Sequence, residues 1–132
     1  MSDPADPAPQ KPAEDLAELD FAYLTTSGRI TGAQHEIEIW FALEGETVYL
    51  LSGGGDRSDW VRNLMISPSV SLRIADVKVS TRARVVVAGT EEDALARRLL
   101  VDKYRARDRT DLSDWGRMSL PIAVDWPLGP KD

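Results

Sequence analysis

The chain of 132 residues has no cysteine and only one histidine. Without cysteine it forms no disulfide bond and uses no thiolate for catalysis or metal binding. One histidine leaves few ligands for a metal, so we predict no metal site. No apolar run approaches the roughly 20 residues of a membrane-spanning helix, and the first residues lack the basic start and apolar stretch of a secretory signal. We therefore expect a soluble cytoplasmic protein.

Positive charge is also scarce. Lysine and arginine number 16 against 22 acidic residues, which gives a net charge of -6. General nucleic-acid binders carry a basic surface, so we expect no nucleic-acid partner. A local basic patch could still hold a phosphate group.

The composition indicates one folded domain behind a tail. Hydrophobic residues make up 42% of the chain, and a chain of this length buries roughly two thirds of the surface that it exposes when unfolded. Residues 1–18, MSDPADPAPQKPAEDLAE, are rich in proline and acids and cannot bury enough apolar surface to fold alone. We predict a disordered tail over 1–18 and a single folded domain over 19–132.

Apolar runs bounded by turn residues predict about six strands, most of them joined by short turns. Several alternate between apolar and polar residues, as antiparallel strands with one solvated face do. The predicted strands cover residues 21–26, 35–43, 47–52, 69–74, 78–89 and 120–126.

Two helices interrupt these strands. Ser58 precedes DWVRNLMI, whose apolar residues recur at helical spacing, and Thr90 precedes a longer amphipathic stretch over 91–107. Sequential hairpins exclude a doubly wound parallel sheet. The prediction is an α+β fold that is mainly β: a small antiparallel barrel with a short helix after the third strand and a longer helix before the last.

The stretch SGGGDR, residues 52–57, is the first candidate for chemistry. Ser52, Gly53, Gly54 and Gly55 present backbone N–H groups without bulky side chains just before a helix, an arrangement that suits an anion such as phosphate. A flexible connection between hairpin and helix is the alternative interpretation.

The stretch TTSGRITGAQHE, residues 25–36, is the second candidate. Arg29 lies between two glycines, and its planar guanidinium could hold a phosphate or a carboxylate; a solvated turn arginine would look the same. His35 is a candidate proton donor, or simply a surface histidine.

The aromatic residues Trp40, Phe41, Tyr49 and Trp60 form a third candidate set. They could wall a pocket for a flat ring, although aromatic residues at strand and helix spacing commonly fill a core.

Together these segments resemble the deazaflavin-dependent nitroreductase family. That family is a branch of the split β-barrel flavin-binding superfamily, which also includes the pyridoxamine phosphate oxidases. The most specific pieces are TTSGRITG, residues 25–32, and the run with the pattern W-x-x-N-L-x-x-x-P-x-V. The resemblance extends over residues 21–124, and the second pattern consists of Trp60, Asn63, Leu64, Pro68 and Val70.

The resemblance implies an oxidoreductase that binds coenzyme F-420, an 8-hydroxy-5-deazaflavin with a phosphate and a polyglutamate tail. It would transfer a hydride to a quinone, an enone or a nitroaromatic, and would pair as a homodimer. Flavin mononucleotide (FMN) or haem remains an alternative ligand, and a cofactor carrier without catalysis an alternative function.

The resemblance also assigns roles to individual residues. Arg29 would face the anionic tail, and the strand through Trp40 would border the ring. In a hydride-transfer reaction of this kind Trp60 would also border the ring, and His35 is a candidate to supply a proton. The phosphate side is lined by Ser52, Gly53, Gly54, Gly55 and Asn63, with Arg57 as an additional charge.

Two positions depart from the pattern. Ile30 and Gly53 stand where many members have a basic residue. Arg57 or Arg62 is expected to replace that charge, and Tyr104 is the candidate for the tyrosine that some members present to their substrate.

Overall fold

The computed structural model describes residues 16–108 and 111–127, and its main feature is a curled antiparallel sheet of seven strands. The strands are β1 (Ala22–Ser27), β2 (Gln34–Ile39), β3 (Ala42–Glu44), β4 (Thr47–Ser52), β5 (Ser69–Ile74), β6 (Val77–Val85) and β7 (Leu120–Asp125). Their order across the sheet is β2-β1-β5-β6-β7-β4-β3. This half-barrel confirms the predicted mainly β, antiparallel class.

Three α-helices lie wholly within the described residues beside the sheet: α1 (Asp59–Ile66), α2 (Glu91–Asp108) and α3 (Ser113–Met118), with a short 3-10 turn at Gly55–Arg57 before α1. The first two confirm the predicted short and long helices. The third was not predicted, because a six-residue helix that contains Gly116 shows too few turns for a periodic pattern.

The sheet separates two hydrophobic clusters, and β4 contributes to both. Val48 and Leu50 pack inside the curl with Leu24, Leu72 and Ile122. Residues on the other face of β4 and β7 pack against helix α2, in a cluster that contains Tyr49, Leu51, Ala123, Ala96, Leu100 and Tyr104. Burial on both faces explains why TVYLLS reads as a continuous apolar run rather than an alternating one.

The strand predicted over 78–89 ends at Val85, and the strand predicted over 35–43 was wrong in detail, because these residues form two strands instead of one. The break lies at Trp40 and Phe41. The Phe41 N–H donates to the Tyr104 hydroxyl at 3.0 Å, and its carbonyl accepts from Lys103 Nζ at 2.8 Å. Helix α2 thus takes up the backbone groups that a continuous strand would use in its ladder.

The start of the described chain is bound to the same helix. Leu16 is buried in the inner cluster, so packed structure begins before the predicted boundary at residue 19. Lys103 Nζ donates to the Leu19 carbonyl at 2.7 Å, and Arg107 pairs with the carboxylate of Asp20. The predicted tail from 1 to 15 lies outside the described residues.

No helix in the described ranges is both long and apolar enough to cross a membrane. Within the same ranges, no cluster of three or more histidine or carboxylate side chains could hold a metal ion.

Candidate functional site

A groove of about 580 Å³ lies between the β1–β2 loop and helix α1, and we call it the Arg29 groove. Strand β1 ends at its floor, the loop forms one wall, and the first two turns of α1 form the other. Its lining consists of Thr26, Gly28, Arg29, Ile30, Thr31, His35, Glu36, Ile37, Asp59, Trp60 and Asn63. Four of the predicted site residues, Arg29, His35, Trp60 and Asn63, therefore meet at one place.

Backbone hydrogen bonds within the loop fix its shape. The Gly28 N–H donates to the Ala33 carbonyl at 2.7 Å, and the Gly32 N–H donates to the Gly28 carbonyl at 2.8 Å. These two bonds close a tight turn, with Arg29 and Ile30 within it. Ile30 is 87% exposed, so the position at which the resemblance leads us to expect a basic residue carries an apolar side chain at the groove.

Asn63 connects three parts of the groove. Its Oδ1 accepts from the Arg29 backbone N–H at 3.2 Å and from Arg29 Nη1 at 2.9 Å, while its Nδ2 donates to Thr26 Oγ1 at 3.1 Å. Asn63 and Thr26 are both buried. Because buried polar groups are costly to leave unpaired, this network holds strand, loop and helix in one arrangement.

The Arg29 guanidinium has a second partner at the solvent side. Its Nη2 lies 3.2 Å from Asp59 Oδ1, and the Asp59 side chain is 85% exposed. Among the described residues that line the groove, Arg29 is the only lysine or arginine, whereas both Asp59 and Glu36 are acidic. The lining therefore carries one positive and two negative charges.

His35 and Trp60 complete the groove from opposite sides. His35 is exposed at the start of β2, and its Nε2 lies close enough to Gly28 that a β-carbon there would be 3.0 Å away. Trp60 is partly buried and packs on the inner cluster from the first turn of α1. The groove thus offers a flat apolar wall, one guanidinium and one imidazole.

The glycine turn lies beside the Arg29 groove without lining it. The Ser52 hydroxyl donates to the Gly55 carbonyl at 2.9 Å and lies 2.9 Å from Ser58 Oγ. Gly55 has a φ of 64°, a backbone conformation that favours glycine. A β-carbon on Gly54 would lie 2.5 Å from Ser58 Oγ, so the serine hydroxyl would have to rotate away and lose its contact with Ser52. Ser58 begins α1 without the side-chain cap that its sequence position predicts.

The two arginines expected to replace the missing charge do not reach this groove. Arg57 is exposed in the 3-10 turn, and Arg62 is exposed on α1, where its Nε donates to the Asp56 carbonyl at 3.3 Å. Neither is among the residues that line the Arg29 groove.

Trp40 belongs to an aromatic cluster with Tyr104 and Trp115. Its ring stacks on Tyr104 at 4.2 Å with an interplanar angle of 2°, and Trp115 meets it edge-on at 5.5 Å. A pocket of about 300 Å³ is lined by Trp40, Trp115, Phe21, Leu51, Ile39 and Glu38. A β-carbon on Gly53 would lie 3.9 Å from the Trp115 ring, which places the glycine turn next to this pocket.

Tyr104 does not face a substrate, contrary to the sequence expectation. It is 1% exposed, and burial raises the pKa of its hydroxyl to about 12. The hydroxyl donates to the Asp20 carbonyl at 2.7 Å. Its ring stacks on Trp40, and the partly exposed Trp115, rather than Tyr104, lines the pocket.

Sequence reasoning missed three residues of these sites: Thr26, Asp59 and Trp115. In the sequence, Asp59 has an ordinary explanation as a favourable charge at a helix start, which gives no indication of a groove. Thr26 is a polar residue at one of the buried, otherwise apolar positions of strand β1. That break in the alternation could have marked it as a residue of the site.

Comparison with known proteins identifies one family and one fold. The model of the F420H2-dependent quinone reductase family matches residues 10–127. No curated protein matches the chain. Among solved structures, an F420-H2 dependent reductase is 22% identical, with a TM-score of 0.63 over 81% of this chain and 96% of that chain.

Two further structures have the same fold. A second F420 reductase is 20% identical, with a TM-score of 0.62 over 89% of this chain and 94% of that one. HutZ, described as a haem storage protein from Vibrio cholerae, is 12% identical, with a TM-score of 0.63 over 90% of this chain and 88% of that one. At these identities the structural similarity establishes the split-barrel fold alone.

Proposed function

The chain belongs to the F420H2-dependent quinone reductase family, and from this premise we propose that it transfers a hydride from reduced coenzyme F-420 to a quinone or a related electrophile, such as an enone or a nitroaromatic. The observation that carries the proposal is the anchored Arg29 at the rim of a groove that Trp60 walls. A flat heterocycle with an anionic side chain needs both features, and Asn63 fixes them relative to each other.

The residues of the groove fit such a cofactor. Trp60 and Ile37 offer apolar surface to a ring. The Arg29 guanidinium offers its Nη2, which now pairs with the exposed Asp59, as a donor to a phosphate or carboxylate. The exposed N–H groups of Gly53 and Gly54 are the proposed support for the phosphate, with Ser52 and Gly55 holding the turn in shape. Trp40 is not among the residues that line this groove, so the proposal assigns the ring wall to Trp60 and leaves Trp40 to the separate aromatic pocket.

When bound, the deazaflavin supplies the hydride, so the protein has to bind, orient and exclude water. Reduction of a quinone takes up one hydride and one proton and yields the hydroquinone. His35 is the proposed proton donor, because it is the groove's imidazole and lies at the open rim. Its proton is replaced from solvent.

The test is a single-turnover reaction. Protein is loaded with reduced coenzyme F-420 without oxygen, a quinone is added, and the return of the oxidised deazaflavin absorbance is followed. We expect the protein to accelerate the reaction. His35→Gln should slow it about tenfold or more while the dissociation constant for the cofactor stays unchanged, and Glu44→Gln, on the distant strand β3, should change neither.

The proposal would be contradicted if the protein accelerated reduction of no quinone, enone or nitroaromatic. Parallel titrations with FMN test whether the protein binds this alternative cofactor. Binding of FMN with no binding of coenzyme F-420 would identify FMN as the cofactor. Binding of coenzyme F-420 without turnover would favour a cofactor carrier without catalysis.

We also propose that the protein forms a homodimer. The support is that strands β2 and β3 end the order of the sheet, so each has one edge without a sheet neighbour in the described chain. A structure with the same fold, 20% identical and with a TM-score of 0.64 over 81% of each chain, is described as a domain-swapped dimer. Sedimentation equilibrium tests this, and a molecular mass near 14.6 kDa at all concentrations would contradict it.

A further inference from the structure

The described lining of the Arg29 groove has more negative than positive charge, although the ligand that the groove is proposed to hold is an anion. A phosphate and a glutamate tail are anionic, yet in the part of the chain that the structure describes the lining has Arg29 as its only arginine or lysine beside two carboxylates, those of Asp59 and Glu36. The apolar Ile30 and the uncharged Gly53 add no positive charge. One of the groove's own groups therefore competes with an incoming anion.

Asp59 is placed to be that competitor. Its Oδ1 lies 3.2 Å from Arg29 Nη2, in the position that a phosphate or carboxylate oxygen of a ligand would take. Nη1 and the backbone N–H of Arg29 both donate to Asn63 Oδ1, so Nη2 is the terminal nitrogen that Asn63 leaves for another acceptor. An arriving anion must displace Asp59 and then remain close to its negative charge.

The carboxylate of Asp59 is free to move away. Its side chain is 85% exposed, while that of Arg29 is only 27% exposed. Exposed ion pairs contribute little free energy, because water solvates both partners well and the long side chains lose entropy. Arg29 is also held by Asn63, so it does not need Asp59 to keep its position.

From these contacts we infer that Asp59 determines the anion affinity of the groove, acting as an internal substitute for the anionic part of the cofactor and keeping its binding weak and sensitive to salt. The inference rests on the proposed function. It assigns Asp59 a role in specificity: ligands with little charge are affected least, and ligands with longer anionic tails most.

The experiment compares wild-type protein with Asp59→Asn by fluorescence titration. The probes are coenzyme F-420 and the deazaflavin riboside that lacks both phosphate and tail, each measured at low and at high ionic strength. Asp76→Asn is the matched control, since it makes the same change of charge in the β5–β6 turn. The register places Ser71 beside Thr25 and Arg73 beside Tyr23, so that turn lies at the opposite end of β1 from the groove.

We expect Asp59→Asn to bind coenzyme F-420 about five- to tenfold more tightly at low salt, because a competing and a repelling charge are both removed. The gain should shrink at high salt, where the Debye length is only a few ångströms. The riboside should bind both proteins equally, and Asp76→Asn should match the wild type.

Equal or weaker binding of coenzyme F-420 by Asp59→Asn would overturn the inference and make Asp59 a residue that merely orients Arg29. A gain of equal size in Asp76→Asn would also overturn it, since net charge alone would then explain the effect. Failure of every protein to bind either probe would overturn the proposed function, and the inference with it.

Discussion

Asn63 fixes the geometry of the groove without having to contact the ligand. Both ends of its amide are already engaged by Thr26 and Arg29, and it is only 4% exposed. The family pattern predicted that Asn63 belongs to the site. The structure supports a positioning role, in which the amide places the guanidinium and the ligand meets Arg29.

Replacing Asn63 with alanine should therefore affect stability as well as binding. The change leaves the Thr26 hydroxyl buried without this donor and releases Arg29, which should lower the free energy of unfolding by about 1–3 kcal/mol. Urea denaturation measures this. Arg62→Ala, an exposed neighbour on the same helix, is the control and should change stability by less than about 0.5 kcal/mol; equal effects of the two changes would contradict the network.

Lys103 is a cation in an unusual place. Its Nζ donates to the carbonyls of Leu19 and Phe41 and lies 3.8 Å from the centre of the Phe41 ring. Burial, and secondarily the nearby Arg107, lowers the pKa of its ammonium to about 8, against the opposing influence of Asp20 and Glu18.

This lowered pKa predicts how stability changes with pH. Between about pH 8 and pH 10 the unfolded chain still holds the Lys103 proton that the folded protein has released, so the free energy of unfolding should rise with pH. Above pH 10.0 the sign reverses, because the pKa values of Tyr49 and Tyr104 are both raised to about 12 in the fold and the unfolded chain loses those protons first.

Urea denaturation of the wild type and of Lys103→Gln at several pH values isolates the contribution of this one amine. The wild type should gain stability relative to the variant across that window, since other titrating groups cancel in the difference. If the free energies of unfolding of the two proteins changed with pH in parallel, the fold would not lower the pKa of Lys103 and the prediction would be contradicted.

Helix α3 positions one wall of the aromatic pocket, although it is only six residues long. Arg97 on α2 donates from Nη1 to the carbonyls of Gly116 and Arg117, each at 2.8 Å, and its Nε is held by Asp93 at 3.0 Å. These bonds clamp α3 onto α2 and place Trp115 edge-on to Trp40.

The clamp requires glycine at position 116, where a β-carbon would overlap Cγ2 of Val101. Valine is stiff in a helix, so it cannot rotate away without strain. Gly116→Ala should cost about 1–3 kcal/mol of unfolding free energy and alter the near-ultraviolet circular dichroism of the Trp40 and Trp115 pair. Adding Val101→Ala should recover most of the loss, and a double variant no more stable than Gly116→Ala would contradict the packing argument.

At the scale of the whole molecule, some features of the fold follow from local sequence patterns and others depend on contacts between distant residues. Alternation in β1 and β5 and capping at Thr90 are local signals, and they gave the antiparallel class and the two longer helices correctly. Thr90 does cap α2, since its Oγ1 accepts from the Asp93 N–H at 3.1 Å. The division of residues 35–43 depends on Tyr104 and Lys103, more than sixty positions away, and no local pattern contains it.

The candidate site shows the same division. The TTSGRITG motif identified the loop, but the pairing of Arg29 with Asp59 and the separation of Trp40 from Trp60 arise only when strand, loop and helix meet in the fold. A charge at a helix start has an ordinary local explanation, so Asp59 attracted no attention in the sequence. Residues that act through distant partners are the ones that sequence reasoning misses.

The central claim is that Arg29, held by Asn63, forms the anion contact of a deazaflavin site. The most direct measurement is a fluorescence titration with coenzyme F-420, run beside FMN, on the wild type, Arg29→Ala and the matched control Arg57→Ala. Saturable binding of the deazaflavin by the wild type, about tenfold or more weaker in Arg29→Ala and at most slightly weaker in Arg57→Ala, is the predicted result. Binding that Arg29→Ala leaves unchanged, or that only FMN achieves, would contradict the account.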